Sequence, residues 1–207
     1  MKFDSVIFLL DHRMAALRPG KQPVFISLKK FPQIPMIPSY YHLEESGPAE
    51  DQLRRELRPY VKGFFRKQAI LLCMPDDATV YVDQKYIREF FICQGAGTNT
   101  TVRTYESLCL AEDKEYVAVS RSERLLTMTY RRGQSQPRYG HLPLALANPE
   151  AVRQGIRNLA PEVEYHQPQV YILDPDERLE EYYELGKPVG LGELADYAFR
   201  LAERNWL

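Results

Sequence analysis

The sequence predicts a mixed α/β fold, on three observations. The chain opens with short apolar runs separated by turn residues. An amphipathic helical stretch then leads into a continuous apolar run of strand length, and helix and strand patterns alternate from there to the end. Its 207 residues are 44% hydrophobic and 27% charged, ordinary globular composition that supplies one large core or two small ones.

Residues 5 to 10, SVIFLL, read as a buried strand. Met14 to Leu17 and Val24 to Leu28 follow as strands around the turn Arg18-Pro19-Gly20-Lys21. The segment FPQIPMIPSYYHLEESGP carries Pro32, Pro35, Pro38 and Pro48, which exclude a helix and predict an extended surface connector. From Ala49 to Arg66, Leu53, Leu57, Tyr60, Val61, Phe64 and Phe65 recur at helical spacing. Ala69 to Met74 is a continuous apolar run closed by Pro75-Asp76-Asp77, as a strand buried on both faces requires.

Val82 to Gln94 has helical periodicity and stops at Gly95-Ala96-Gly97. Thr100 to Thr104 is a short β-branched run, and Tyr105 to Ala111 a turn or two of helix. Tyr116 to Val119 and Leu125 to Tyr130 form a hairpin around the charged turn Ser120-Arg121-Ser122-Glu123-Arg124. RRGQSQPRYGHLP reads as a polar crossing. Asn148 caps a helix running to about Leu159, Val170 to Leu173 is a strand, Glu177 to Leu185 a helix, and Leu191 to Trp206 a final helix. The sequence shows no internal repeat.

Several chemistries find no support. Gln94-Gly95-Ala96-Gly97-Thr98 ends a helix, whereas a dinucleotide loop follows a strand and opens one. There is no Gly-Lys-Ser/Thr loop and no Gly-x-Ser-x-Gly elbow. His12, His42, His141 and His166 never stand at ligand spacing, so no metal is expected, and Asp176 reads better as a helix N-cap than as part of an acidic metal loop. Cys73, Cys93 and Cys109 are read as buried free thiols of a reducing compartment. Lys+Arg 27 against Asp+Glu 28 gives no global field for nucleic acid or anionic lipid. The run Val6 to Leu10 is too short to span a bilayer, and a cytoplasmic location without direct membrane insertion is expected. Arg121 and Arg124 present the forked donors that grip phosphate, set against the plainer reading of a solvated turn.

Over residues 58 to 97, RPYVKGFFRKQAILLCMPDDATVYVDQKYIREFFICQGAG, the chain resembles the bacterial actin-like, rod-shape-determining family of the MreB type. Cys73, Pro75, Ala78, Gly95 and Ala96 match its pattern, and Glu106 stands where that family has the glutamate of Glu-Pro-x-Ala-Ala. The resemblance implies an actin-like (ribonuclease H-like) mixed sheet with flanking helices in a shortened two-lobe core. It places a first lobe at 1–134, with a five-stranded mixed sheet and the connector 32–48, and a reduced, mostly helical second lobe at 135–207. The strands at 5–28, 69–74, 100–104 and 116–130 are expected in one sheet.

Family members hold nucleotide with three glycine-bearing loops, because backbone amides must approach phosphate without a Cβ in the way. The first aligns with Asp11-His12-Arg13-Met14-Ala15, the second with Ala118 to Glu123 (Ser120, Arg121 and Ser122 at its turn), and the third with Leu173-Asp174-Pro175-Asp176. No glycine remains in any of them. The expectation is a non-catalytic actin-like protein, with no cofactor and no catalytic residue. It would work through contacts with other proteins in cell-shape, division or envelope assembly, and is compatible with oligomerisation. The alternative is a nucleotide- or phosphometabolite-binding enzyme in which Asp11, Arg121 and Arg124 replace the glycine contacts.

Overall fold

The computed structural model describes residues 3–34, 37–44, 47–62, 68–77 and 81–203. They fall into two units. The first comprises the described residues within Met1–Met74, Ala78–Thr104 and Ala198–Leu207, and the second Pro75–Asp77 and Tyr105–Tyr197.

The first unit contains β1 (Ser5–Leu10), β2 (Arg13–Leu17), β3 (Val24–Ser27), α1 (Pro48–Val61), β4 (Ile70–Met74), α2 (Tyr81–Cys93) and β5 (Thr101–Thr104). Its sheet has the order β3-β2-β1-β4-β5. The first three strands pair antiparallel, while β1–β4 and β4–β5 are parallel. Every residue of β1 and β4 is buried, which is why Val6–Leu10 and Ile70–Met74 read as unbroken apolar runs. Asp4 fixes the register at the start of the parallel pair. Its amide donates to the Ala69 carbonyl at 2.9 Å and its carboxylate accepts the Ala69 amide at 2.9 Å. In α1, with Pro48 in the first turn, Leu53, Leu57 and Val61 point inward at four-residue spacing. Gly95, at φ +104°, ends α2 with the backbone conformation glycine adopts freely.

The second unit contains α3 (Tyr105–Leu108), β6 (Glu115–Arg121), β7 (Leu125–Arg132), β8 (Arg138–Pro143), α4 (Pro149–Asn158), α5 (Pro161–His166), β9 (Gln169–Leu173), β10 (Lys187–Val189) and the start of α6 (Leu191–Glu203). The sheet order is β10-β9-β6-β7-β8, with β6–β7 and β7–β8 antiparallel and β6–β9 and β9–β10 parallel. Counted from its own first strand, this is the order 3-2-1-4-5 of the first sheet. One topology is built twice from sequences without a visible repeat. Asn148 caps α4 as expected, accepting the Ala151 amide at 2.9 Å.

The predicted α/β class, with mixed sheets and flanking helices, holds, with several corrections. The hairpin at 116–130 does not share the first sheet; it pairs with β8 and β9 and founds the second. The division therefore falls after Thr104 instead of after residue 134, and the second unit carries five strands instead of being mostly helical. Two of those strands escaped the sequence. β8 is an edge strand of exposed and half-buried residues, and β10 has three residues. The stretch 177–185 forms a 3₁₀ turn over Glu180–Leu185, without an α-helix. The Pro-rich connector is not simply surface. Phe31, Tyr40 and Leu43 are buried in the first core, and Ser39–His42 makes a 3₁₀ turn. Cys73 and Cys109 are buried, but Cys93 is exposed. Phe64, Phe65, Ala78, Pro35 and Trp206 lie outside the described residues. Among the described residues no helix is long and apolar enough to cross a membrane.

Two glycines give a packing test. A Cβ on Gly186 would sit 2.5 Å from the Val170 carbonyl oxygen and 2.8 Å from its carbonyl carbon, backbone atoms of β9 that cannot yield. A Cβ on Gly155 would meet the Met128 sulfur at 2.5 Å, on a side chain that can turn away. Gly186→Ala is expected to lower the unfolding free energy in urea by about 1–3 kcal/mol, the usual cost of overpacking. Gly155→Ala should cost less. The reverse ranking would show that β9 shifts more easily than Met128.

Candidate functional site

The sequence-predicted loop residues divide between the units. Asp11 and His12 form the β1–β2 turn of the first. His12 takes φ +56°, a conformation uncommon for a residue with a Cβ, and its carbonyl accepts the Leu28 amide at 2.7 Å. Its ring stands 3.2 Å from the Asp11 carboxylate and 3.3 Å from the Ser39 hydroxyl.

The remaining candidates are all in the second unit. Ser120 on β6 and Leu173 on β9 are parallel partners, so Ser120, Arg121 and Ser122 and the pair Asp174 and Asp176 leave the same end of the sheet. The Ser122 hydroxyl accepts the Arg124 amide at 3.0 Å and the Leu125 amide at 3.1 Å, and donates to Asp77 at 2.6 Å. Arg124 Nε donates to the same Asp77 oxygen at 2.8 Å. The turn is thus tied by its own serine, and one of its two arginines is committed to a carboxylate. Arg121 is half-buried, with Nε lacking a partner among the described residues.

Asp174 is 4% exposed and collects the amides of Arg178 and Leu179 at 2.7 and 2.8 Å and the Tyr183 hydroxyl at 2.9 Å. It, and not Asp176, closes this loop. The expected N-cap role of Asp176 fails because the segment it would start is not an α-helix. Tyr183 is pushed up to about 12 by burial and by its bond to Asp174, so its hydroxyl stays a donor.

Next to these turns lies a buried polar layer of which the sequence reading had only Glu106. Glu106, fully buried on α3, receives Arg131 of β7 through two bonds of 2.9 and 2.7 Å. The Tyr116 hydroxyl donates to the Glu106 carbonyl at 2.7 Å and stands 3.1 Å from its carboxylate. Burial works against the Arg131 charge, but the bonds and charge of Glu106 outweigh it and the guanidinium is held more firmly protonated than usual. Burial, then the Glu106 charge, pushes the Tyr116 hydroxyl well up. The residue in the place of the family's glutamate is therefore engaged by an arginine and a tyrosine.

Asp76, 1% exposed, accepts the Glu106 amide at 2.8 Å. Burial first, then the Glu106 charge, raises its carboxyl to about 8. Burial also pushes the thiols of Cys73 and Cys109 far up, so neither supplies a nucleophilic thiolate. The polar half of this layer was visible in LLTMTYRR, where Thr127, Thr129 and Arg131 alternate with Met128 and Tyr130. Alternation signals a polar face without saying that the face is covered.

No protein-family model matches the chain, and no curated protein matches it by sequence. Solved structures do match. The ethanolamine utilization protein EutJ from Carboxydothermus hydrogenoformans is 10% identical, with a TM-score of 0.52 over 97% of this chain and 90% of that one. MreB 5 of Spiroplasma citri bound to AMPPNP is 10% identical, with a TM-score of 0.45 over 79% and 57% of the two chains. The PPX-GPPA enzyme of Aquifex aeolicus is 12% identical, with a TM-score of 0.40 over 82% and 66%. The fold, resting on the first of these, is actin-like; at such identities the likeness extends to nothing further.

Two outcomes test the polar layer. Arg131→Met strands a buried carboxylate and should cost about 3–5 kcal/mol in urea unfolding, with Glu106→Gln in the same chain restoring part of the loss. Additive losses would show that the two side chains do not act as a pair. Asp76 tests pH. Below its ordinary value of 3.8 both folded and unfolded chains hold the proton; from there to about 8 only the folded chain keeps it, so its contribution to stability falls as pH rises through that window. Asp76→Asn removes this loss, and the variant should gain on the wild type as pH is raised from 4 to 8. A constant difference across those buffers would mean that Asp76 is already ionised in the folded protein.

Proposed function

We propose that this chain is a non-catalytic actin-like protein that works through contacts with other proteins. Cell-shape, division or envelope-assembly machinery is the class of partner that the sequence resemblance to the MreB type favours. The observation that carries the reading is the occupation of the loop positions. Where the resembled family presents glycine amides to phosphate, Ser122 and Arg124 are engaged with Asp77, and Asp174 takes the neighbouring amides for itself. A polyanion entering there would meet side chains, two aspartates among them, before any backbone amide. Glu106, in the place of the family's Glu-Pro-x-Ala-Ala glutamate, is held by Arg131 and Tyr116.

Isothermal titration with ATP and GTP in the presence of magnesium should show no micromolar binding, and a hydrolysis assay no turnover. Thermal unfolding of the wild type and of Arg121→Glu should respond identically to either nucleotide. Micromolar binding lost in Arg121→Glu would instead establish the enzyme or nucleotide-binding alternative.

A further inference from the structure

A sheet edge presents a row of backbone amides and carbonyls that a further strand can pair with, and proteins commonly blunt it with charge or proline. The two sheets have four edge strands. β5 carries Arg103, β8 carries Arg138 and Pro143, and the three residues of β10 include Lys187 and Pro188. β3, Val24-Phe25-Ile26-Ser27, has neither a charge nor a proline. It pairs with β2 on one side, and among the described residues no strand lies on the other.

Its side chains are open as well. Ile26 is buried in the core of the first unit, but Val24 is 47% and Phe25 49% exposed. Alternation puts these two on opposite faces of the sheet, so a strand added beside β3 would find an apolar neighbour on each face. The Arg13 guanidinium lies over Phe25, 4.6 Å from its ring centre, and holds the ring beside the edge.

Charge selects the occupant. Residues 13–43 contain Arg13, Arg18, Lys21, Lys29 and Lys30 but no aspartate or glutamate, in a chain of 27 basic and 28 acidic residues. Lys21 precedes β3, Lys29 and Lys30 follow it, and all three are exposed. Helix α1, packed on the same core, carries Glu50, Asp51 and Glu56 against Arg54, Arg55 and Arg58 and does not offset the excess. A second copy of the chain fits badly. Antiparallel pairing of β3 with itself, Val24 against Ser27, would set Lys21 opposite Lys30 at both ends, where like charges repel. A lipid surface suits the lysines but offers no backbone groups to the edge. We propose that β3 accepts, as a sixth strand, an extended segment of a partner protein with apolar residues at its centre and acidic residues at both ends. This rests on the reading that the chain works through protein contacts, and adds to it a surface and a partner chemistry.

The test is fluorescence anisotropy of an end-blocked, fluorescein-labelled peptide, Glu-Glu-Val-Thr-Val-Thr-Glu-Glu, titrated with the full chain. Half-saturation is expected below about 1 mM. Reversing both following charges, Lys29→Glu with Lys30→Glu, should weaken binding about fivefold to tenfold, and Phe25→Thr, which keeps a strand-forming residue, about fivefold. A peptide N-methylated at two adjacent central residues cannot complete a ladder from either of its edges and should not bind; this arm needs no variant of the protein. Absence of saturation up to about 1 mM, or equal binding of the N-methylated peptide, would overturn strand addition. Equal binding of a peptide ending in lysines would overturn the selection by charge. Sedimentation with phosphatidylserine vesicles in place of peptide binding would make the patch a lipid surface, and a dimer lost in Phe25→Thr would make the occupant a second copy; either overturns the proposal. The nucleotide titrations above do not involve β3, so failure of this proposal is distinguishable from failure of the function it rests on.

Discussion

Each unit depends on one parallel pair of strands at the middle of its sheet, β1 with β4 and β6 with β9. A parallel partner cannot be reached by a tight turn, so the chain must leave the sheet and return through other structure. In the first unit the chain passes through β2, β3, the connector and α1 before it returns; in the second it passes through β7, β8, α4 and α5. The antiparallel hairpins grow outward on one side of the pair, and one further parallel strand closes the other. Both sheets obey this order although the residues that build them share no visible pattern.

That constraint explains what was legible in the sequence. β1 and β4 are covered on both faces and, Ser5 apart, are apolar throughout, so SVIFLL and ILLCM read as strands without help from neighbours. The edge strands carry no such obligation. Arg138–Pro143 reads as loop because an edge needs few apolar residues, and its partner Leu125–Arg132 supplies the burial. The boundary was misplaced for a related reason. A hairpin announces that two strands pair with each other but not which sheet they join, and that choice rests on the distant segment 169–173. In the connector, Phe31, Tyr40 and Leu43 show burial overriding a composition that reads as loop.

The site was less legible than the fold. SRSER announces two arginines, but its meaning lies in Asp77, which is 45 residues before Ser122 and unremarkable in sequence. Asp176 reads as the N-cap of a helix, and only the path of the following chain, a 3₁₀ turn, gives the Arg178 and Leu179 amides to Asp174 instead. Glu106 was found through a family resemblance, whereas its partner Arg131 sits in a hairpin that reads as an ordinary amphipathic strand. Buried charge pairs leave little trace in one sequence, because each half looks like a surface residue until the fold brings both under cover.

The division of the chain also fixes an order of events during synthesis. Apart from Pro75–Asp77, the second unit is one uninterrupted stretch from Tyr105 to Tyr197, and each of its five strands can find its neighbours as the stretch emerges from the ribosome. The five described strands of the first unit are complete by Thr104, yet it also takes the last turns of α6, from Ala198 to Glu203. The first unit is thus completed only after the second has been made, and loss of the segment that follows Tyr197 falls on the unit whose strands precede Tyr105.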